Sequence, residues 1–323
     1  MFPVARPRRL RQNENIRDFI AETPFDLKKL IMPVFVDENA SKPVPIASMP
    51  GIFRHGISGL DEYLSSLDNL GIRGILLFGI PSHKDEEGTA SYDPDGVVQK
   101  AAGIAKDNTA LTVMADLCMC EYTTHGHCGI LNGSYVDNDS TLESYGRIAL
   151  SYANAGVDMI APSGMMDGQV GYLRSVLDQN GHSNMPILAY SVKYASNMYG
   201  PFRNAADSAP SFGDRRSYQM DPRNSMEAMK EISLDIEEGA DIIMVKPALP
   251  YLDIIRRAKD TFDYPVAAYS VSGEYTMLRN AIDQGLLGRE TVHEVLNSIF
   301  RSGADMVITY FAEELSRDLQ NRG

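Results

Sequence analysis

Eight times along the chain, a short apolar run rich in β-branched residues gives way to a turn and then to an amphipathic stretch of helical spacing. The runs cover 30–36, 74–80, 111–117, 157–161, 187–192, 241–245, 266–271 and 305–310. Nearly continuous hydrophobicity over so few residues is the pattern of strands buried on both faces of a parallel sheet. In the gaps, Leu60, Leu64, Leu67 and Leu70 recur at helical spacing within 59–70, and 142–155, 226–238 and 252–262 carry similar stripes. Ser140 or Thr141, in DNDST, is the expected N-cap of the second of these helices, and Gly239 the expected stop of the third. Eight strands alternating with helices predict an α/β chain folded as a (β/α)8 TIM barrel, with an open doubly wound sheet as the rival.

Two stretches fall outside the repeat. Residues 1–28 precede the first strand and carry Arg6, Arg8, Arg9 and Arg11. They read either as a frayed tail or as an N-terminal arm that docks on another subunit, leaving 29–323 as the barrel. Residues 194–224 separate the fifth strand from its helix, far more than the ~2–6 residues usual for such a loop. A long loop at this end of a barrel strand is expected to be a lid or a binding element.

Composition narrows the function classes. A chain of 323 residues buries a large core without covalent staples, and its three cysteines cannot all pair, which suits a reducing cytosol. No apolar run approaches the ~18–20 residues of a membrane span. The basic start, MFPVARPRRLRQNENIRDF, has no apolar centre of a secretory signal. A net charge of −13 disfavours nucleic acid and anionic membranes as partners. A cytoplasmic protein is expected.

All three cysteines lie in one window, ADLCMCEYTTHGHCGIL. Asp116, Cys118 and Cys120 share parity, so an extended backbone would point them the same way, and Cys128 returns from a loop holding His125 and His127. Three thiolates without an obvious fourth protein ligand suit catalytic zinc with one open position. A closed site completed by His125 or His127, and three unligated thiols, are the alternatives.

Lys193 closes the fifth run and Lys246 the sixth, at the strand ends that face a barrel's active site. Adjacent strands lie ~4.8 Å apart, so each ammonium would disfavour the other's charge, and burial would act in the same direction. A lysine neutralised in this way is a nucleophile able to form a Schiff base with a ketone. The other reading is a strand-end lysine that reaches out to solvent. Arg203, Arg215 and Arg216 in the long loop are candidate anchors for a substrate carboxylate. Ser270, Ser272 and Tyr310 place hydroxyls at the same rim.

Together ADLCMCEYTTHGHCGIL, APSGMMDGQV, SVKYASNMYGPFR with GDRRSYQM, MVKPALPYLD and SVSGEYTML resemble the porphobilinogen synthase (5-aminolevulinate dehydratase) family over essentially the whole chain. The resemblance implies condensation of two 5-aminolevulinate molecules, with loss of two waters, to the pyrrole of tetrapyrrole and haem biosynthesis. It implies Lys246 as the Schiff-base lysine for the first substrate, whose carboxylate Ser272 and Tyr310 would hold. Lys193 would form the second imine, with Arg203 and Arg215 on the second carboxylate and Gln219 assisting. Cys118, Cys120 and Cys128 match the zinc-type members rather than the branch that has Asp there and relies on magnesium. Glu231 matches a position where some members bind an allosteric magnesium. The family commonly forms homo-octamers built from dimers that embrace through N-terminal arms. Gly164 stands where some relatives have Asp, and Asp116 remains a candidate proton-transfer group. A Schiff-base aldolase on the same barrel, with a single imine lysine and no thiolate metal site, is the rival activity.

Overall fold

The computed structural model describes residues 4–23 and 25–320; the expected arm's first three residues and Pro24, and the expected barrel's last three, lie outside them. Eight parallel strands form the barrel: β1 (Leu30–Asp37), β2 (Gly74–Ile80), β3 (Thr112–Leu117), β4 (Met159–Pro162), β5 (Leu188–Lys193), β6 (Ile242–Lys246), β7 (Val266–Ser270) and β8 (Met306–Thr309). Their order is β4-β3-β2-β1-β8-β7-β6-β5, and the seam between β4 and β5 is bridged at Ile160 and Ile187, where the Ile160 amide donates to Pro186 O at 3.2 Å. That closure decides against the open sheet. Each expected run falls within two residues of a strand, because a run apolar on both faces has no other stable place in the fold.

Around the barrel lie α1 (Leu60–Asn69), α2 (Val97–Asn108), α3 (Asn138–Asn154), α4 (Gln169–Gln179), α5 (Met226–Glu237), α6 (Leu252–Thr261), α7 (Ser272–Asp283), α8 (Thr291–Arg301) and α9 (Ala312–Gln320). Leu60, Leu64 and Leu67 are fully buried, as their spacing required. Gly239 follows α5 with φ +102°, a conformation open chiefly to glycine. The cap of α3 is corrected: the helix starts at Asn138, and Asp137 caps it by accepting from the Ser140 amide. The first turn, Asn-Asp-Ser-Thr, is polar, with Asp139 and Ser140 exposed and buried Thr141 donating its hydroxyl to Asp137 O, so apolar periodicity alone started the helix too late. Two hairpins were invisible for want of length: Val44–Pro45 with Phe53–His55, and Leu131–Asn132 with Tyr135–Val136.

The stretch 194–224 is not structureless. It contains a 3-10 turn, Asn197–Tyr199, and a short helix, Gly200–Ala205. Three contacts fasten it to neighbouring loops: Ser48 Oγ donates to Pro201 O at 3.3 Å, Arg54 Nη2 to Asn204 O at 2.5 Å, and Lys84 Nζ to the Asp207 carboxylate at 2.7 Å. At the other end of the chain, neither the turn Pro7–Arg11 nor the helix Glu14–Phe19 buries a residue, and Val4 and Phe19 are about nine-tenths exposed. Among the described residues no helix is long and apolar enough to cross a membrane.

Candidate active site

Strands β5 and β6 end together, with Lys193 and Lys246 as direct Cα partners across the ladder. Their pairing depends on an irregularity. Ile243 pairs with Ala189 but Val245 with Val192, so β5 carries one extra residue between these points. Without it Lys246 would stand level with Val192. From within the bulged stretch, the Tyr190 ring lies beneath both ammonium groups, 5.0 Å from Lys246 Nζ and 5.7 Å from Lys193 Nζ.

The two lysines are equally buried, yet their surroundings differ. Lys246 Nζ sits among the rings of Tyr269, Tyr190, Tyr199 and Phe202, the nearest centroid 4.4 Å away. Burial, then the charge of Lys193, push its pKa down to about 7. Lys193 donates to Ser163 O, and although burial opposes its charge, the neighbouring sulfurs of Cys128 and Cys118 and the Asp116 carboxyl outweigh that and hold it above the usual lysine range. The expectation of mutual neutralisation therefore applies to Lys246 alone.

Strand β3 ends at Leu117; Cys118 follows it directly, and Cys120 lies in the turn beyond instead of on extended backbone. Their thiols converge nonetheless. Sγ of Cys118, Cys120 and Cys128 all lie within 4.8 Å of one another, with Cys118 and Cys120 3.4 Å apart, and all three are free and buried. Tetrahedral zinc with sulfur ligands at ~2.3 Å needs sulfurs about 3.8 Å apart, so the set fits such an ion. The Cys128 thiol is held well below the usual thiol range: the thiols of Cys118 and Cys120 hydrogen-bond to it and, against burial, Arg215 and Lys193 add positive field.

The histidines do not complete a closed site. His127 uses Nδ1 on the Tyr218 hydroxyl and Nε2 on Phe212 O, both at 3.1 Å. His125 uses Nδ1 on the His127 amide and Nε2 on Glu86 O. Neither joins a metal-holding group among the described residues.

Asp116 lies at the centre. Its Oδ2 accepts from Ser163 Oγ at 2.9 Å, its Oδ1 has no hydrogen-bond partner among the described residues, and burial raises its pKa against the pull of Lys246 and Lys193. A base at position 164 has no room. A Cβ on Gly164 would overlap the Tyr145 hydroxyl, which donates to Cys128 O at 2.6 Å and so supports the third thiol.

The expected carboxylate anchors divide into two groups. Ser272, fully buried at the start of α7, accepts from the Phe202 amide at 2.9 Å, and the Tyr310 hydroxyl meets that of Tyr269 at 3.0 Å. Arg215 is buried and donates to Gly126 O and Ser208 O at 2.8 and 2.6 Å, leaving Nε unpaired. Arg203 Nε and both polar atoms of the Gln219 amide are buried without a partner among the described residues. Groups left so are costly unless a ligand meets them. Glu231 stands apart on α5, half-buried beside a cavity of about 370 Å³ that Asp167 and Glu227 also line.

Residue-level reading missed Tyr190, Tyr199, Tyr269, Ser163 and Glu121. Aromatic residues in apolar surroundings read as core. Glu121, buried and accepting from the Cys120 thiol at 3.2 Å, had the one available signal, an acid beside a cysteine.

A family model described as Delta-aminolevulinic acid dehydratase matches residues 4–318. Curated proteins named delta-aminolevulinic acid dehydratase from Methanothermus sociabilis and Archaeoglobus fulgidus are each 51% identical, over 98% and 99% of this chain and 99% of their own lengths. Among solved structures, the delta-aminolevulinic acid dehydratase (porphobilinogen synthase) of Toxoplasma gondii, in complex with the reaction product porphobilinogen, superposes with a TM-score of 0.94 at 41% identity, over 97% of this chain and 91% of that one. With a paired-lysine barrel mouth, a three-thiol set and likeness along its whole length, the chain belongs to the delta-aminolevulinic acid dehydratase family.

Proposed function

We propose that the chain condenses two 5-aminolevulinate molecules to porphobilinogen through Schiff bases on Lys246 and Lys193. The observation that carries this reading is the Cα pairing of the two lysines, with the Lys246 pKa brought down to about 7 so that free amine is available near physiological pH. Lys246 attacks the ketone of the first substrate, and that carboxylate is received by Ser272 and Tyr310. Lys193, charged in the free site, takes the second ketone after passing its proton to a neighbouring acceptor such as Asp116, and that substrate's carboxylate is bound by Arg203, Arg215 and Gln219. Each imine releases one water, which accounts for the two lost overall. Forming the carbon–carbon and carbon–nitrogen bonds of the ring returns both lysines to free amines. The free Oδ1 of Asp116 is placed to take and return protons at the substrate carbons beside the imines. The aromatic wall and the lid exclude water from Lys246.

Zinc is the metal this site is proposed to take, held by Cys118, Cys120 and Cys128, where it would supply a Lewis acid beside the second substrate. Lys193 and Arg215 offset the negative charge of the thiolates. At Glu231, burial first and then Asp167 and Glu227 raise the carboxyl's pKa, which supports the proposal of a magnesium held there. The exposed apolar residues of the arm support a homo-oligomer, proposed as an octamer of embracing dimers, and three free thiols support a cytoplasmic setting.

The test is direct. Purified protein with zinc should convert 5-aminolevulinate to porphobilinogen, and Lys246→Ala should not. A wild-type protein that binds zinc but forms no product would refute the reading.

A further inference from the structure

Glu274 has no part in the chemistry above, yet it is fully buried beneath the mouth of the barrel. It occupies the third position of α7, two residues after Ser272. Its two oxygens face different loops. Oε2 accepts from the Val271 amide at 2.5 Å, within the turn that carries Ser272. Oε1 accepts from the Leu249 amide at 2.5 Å, and the Ala248 amide adds a third bond, both from the segment that leaves β6 immediately after Lys246. A single carboxylate thus ties the ends of β6 and β7 together. Among the described residues no arginine or lysine assists it: burial raises its pKa to about 7 against the opposing pull of the Leu249, Val271 and Ala248 amides.

The tie lies directly under the lid. A Cβ on Gly273 would come within 2.6 Å of Met198 O, so the lid backbone rests on the turn that Glu274 holds. Ser272 donates to that same carbonyl at 3.3 Å. Any change in the turn therefore moves Ser272 relative to Lys246.

We propose that Glu274 is a positioning residue: by clamping the backbone after Lys246 to the turn bearing Ser272, it sets the span between the imine nucleophile and the hydroxyl that receives the substrate carboxylate. The proposal rests on the assignment of Lys246 and Ser272 to the first substrate. Its chemical logic is that of a ruler. A γ-keto acid has a fixed distance from ketone to carboxylate, and a site selects it over a simple ketone only if the two anchors keep that distance.

Borohydride trapping at Lys246 reads the ruler with two probes, 5-aminolevulinate and aminoacetone, which keeps the aminoketone but lacks the carboxylate. Wild-type protein should trap 5-aminolevulinate much faster. Glu274→Gln keeps the size of the side chain but turns an NH2 group toward one of the amide donors, so one loop is released. The variant should lose roughly 10- to 100-fold in trapping of 5-aminolevulinate while trapping aminoacetone at nearly the wild-type rate. Zinc content should not change. Ser272→Ala should show the same collapse of preference. Should Glu274→Gln fail to fold, Glu274→Asp, which retains the charge but is too short to span both loops, is read in the same way.

Equal loss with both probes, no loss with either, or failure of both variants to fold would overturn the positioning role. Absence of any adduct at Lys246 in the wild-type protein would instead overturn the assignment on which it rests.

Discussion

At the residue scale the account turns on why only one of two buried lysines has its pKa lowered. Lys246 is enclosed by aromatic faces and feels Lys193, whereas Lys193 faces the cysteine sulfurs and a carboxyl. The pKa of Lys246 is depressed from the usual lysine value of 10.5 to about 7 in the folded protein, so its neutral fraction grows as pH rises through about 7. Trapping at Lys246 should therefore show an acid limb with a midpoint near pH 7. Lys193→Met, which removes the neighbouring charge, should move that midpoint upward; an unchanged midpoint would show that Lys193 does not tune it. Lys246→Ala should abolish turnover and trapping, and Lys246→Arg should not restore them, because guanidinium stays protonated. Both lysines and all three cysteines could be found in the sequence because their residue types announce chemistry. The aromatic wall around Lys246 could not, since Tyr190 and Tyr269 look like any core tyrosine until the cation lies over them.

At the scale of elements, the strands were legible and the geometry of their ends was not. Continuous apolar runs locate β5 and β6, but the extra residue in β5 that brings Lys193 level with Lys246 leaves no mark on hydropathy. The turn after β3 likewise replaced the extended backbone expected for Cys120, while leaving the convergence of the thiols intact. The stretch 194–224 stood out by its length, but its short helix and its fastening to Ser48, Arg54 and Lys84 depend on long-range contacts. Because Arg215 joins the lid backbone to Gly126, Arg215→Ala should weaken apparent affinity for 5-aminolevulinate by roughly 10- to 100-fold, the worth of a charge-assisted bond. Trapping at Lys246 should persist, and Arg215→Lys should recover only part of the affinity. Equal loss of turnover and trapping would assign the arginine to the first substrate or to the fold.

For the whole molecule, the barrel should fold without the proposed metal. Its apolar core is continuous, and the three buried thiols are a small part of it. A strong chelator should abolish activity and added zinc restore it, while the unfolding temperature falls by only a few degrees. Retained activity after complete metal removal would contradict the proposed zinc role. Residues 4–20 of the arm bury no side chain, whereas Phe25 and Leu27 pack on the barrel core, so deleting residues 1–20 should lower the oligomeric state in sedimentation without unfolding the barrel. The central claim, two imine lysines used in order, is tested most directly by mass spectrometry of protein mixed with limiting 5-aminolevulinate and quenched in borohydride at increasing times. The account predicts a reduced adduct on the peptide carrying Lys246 at the earliest times, with an adduct at Lys193 appearing only later or at higher substrate. An adduct first at Lys193, or on neither lysine while porphobilinogen accumulates, would contradict it.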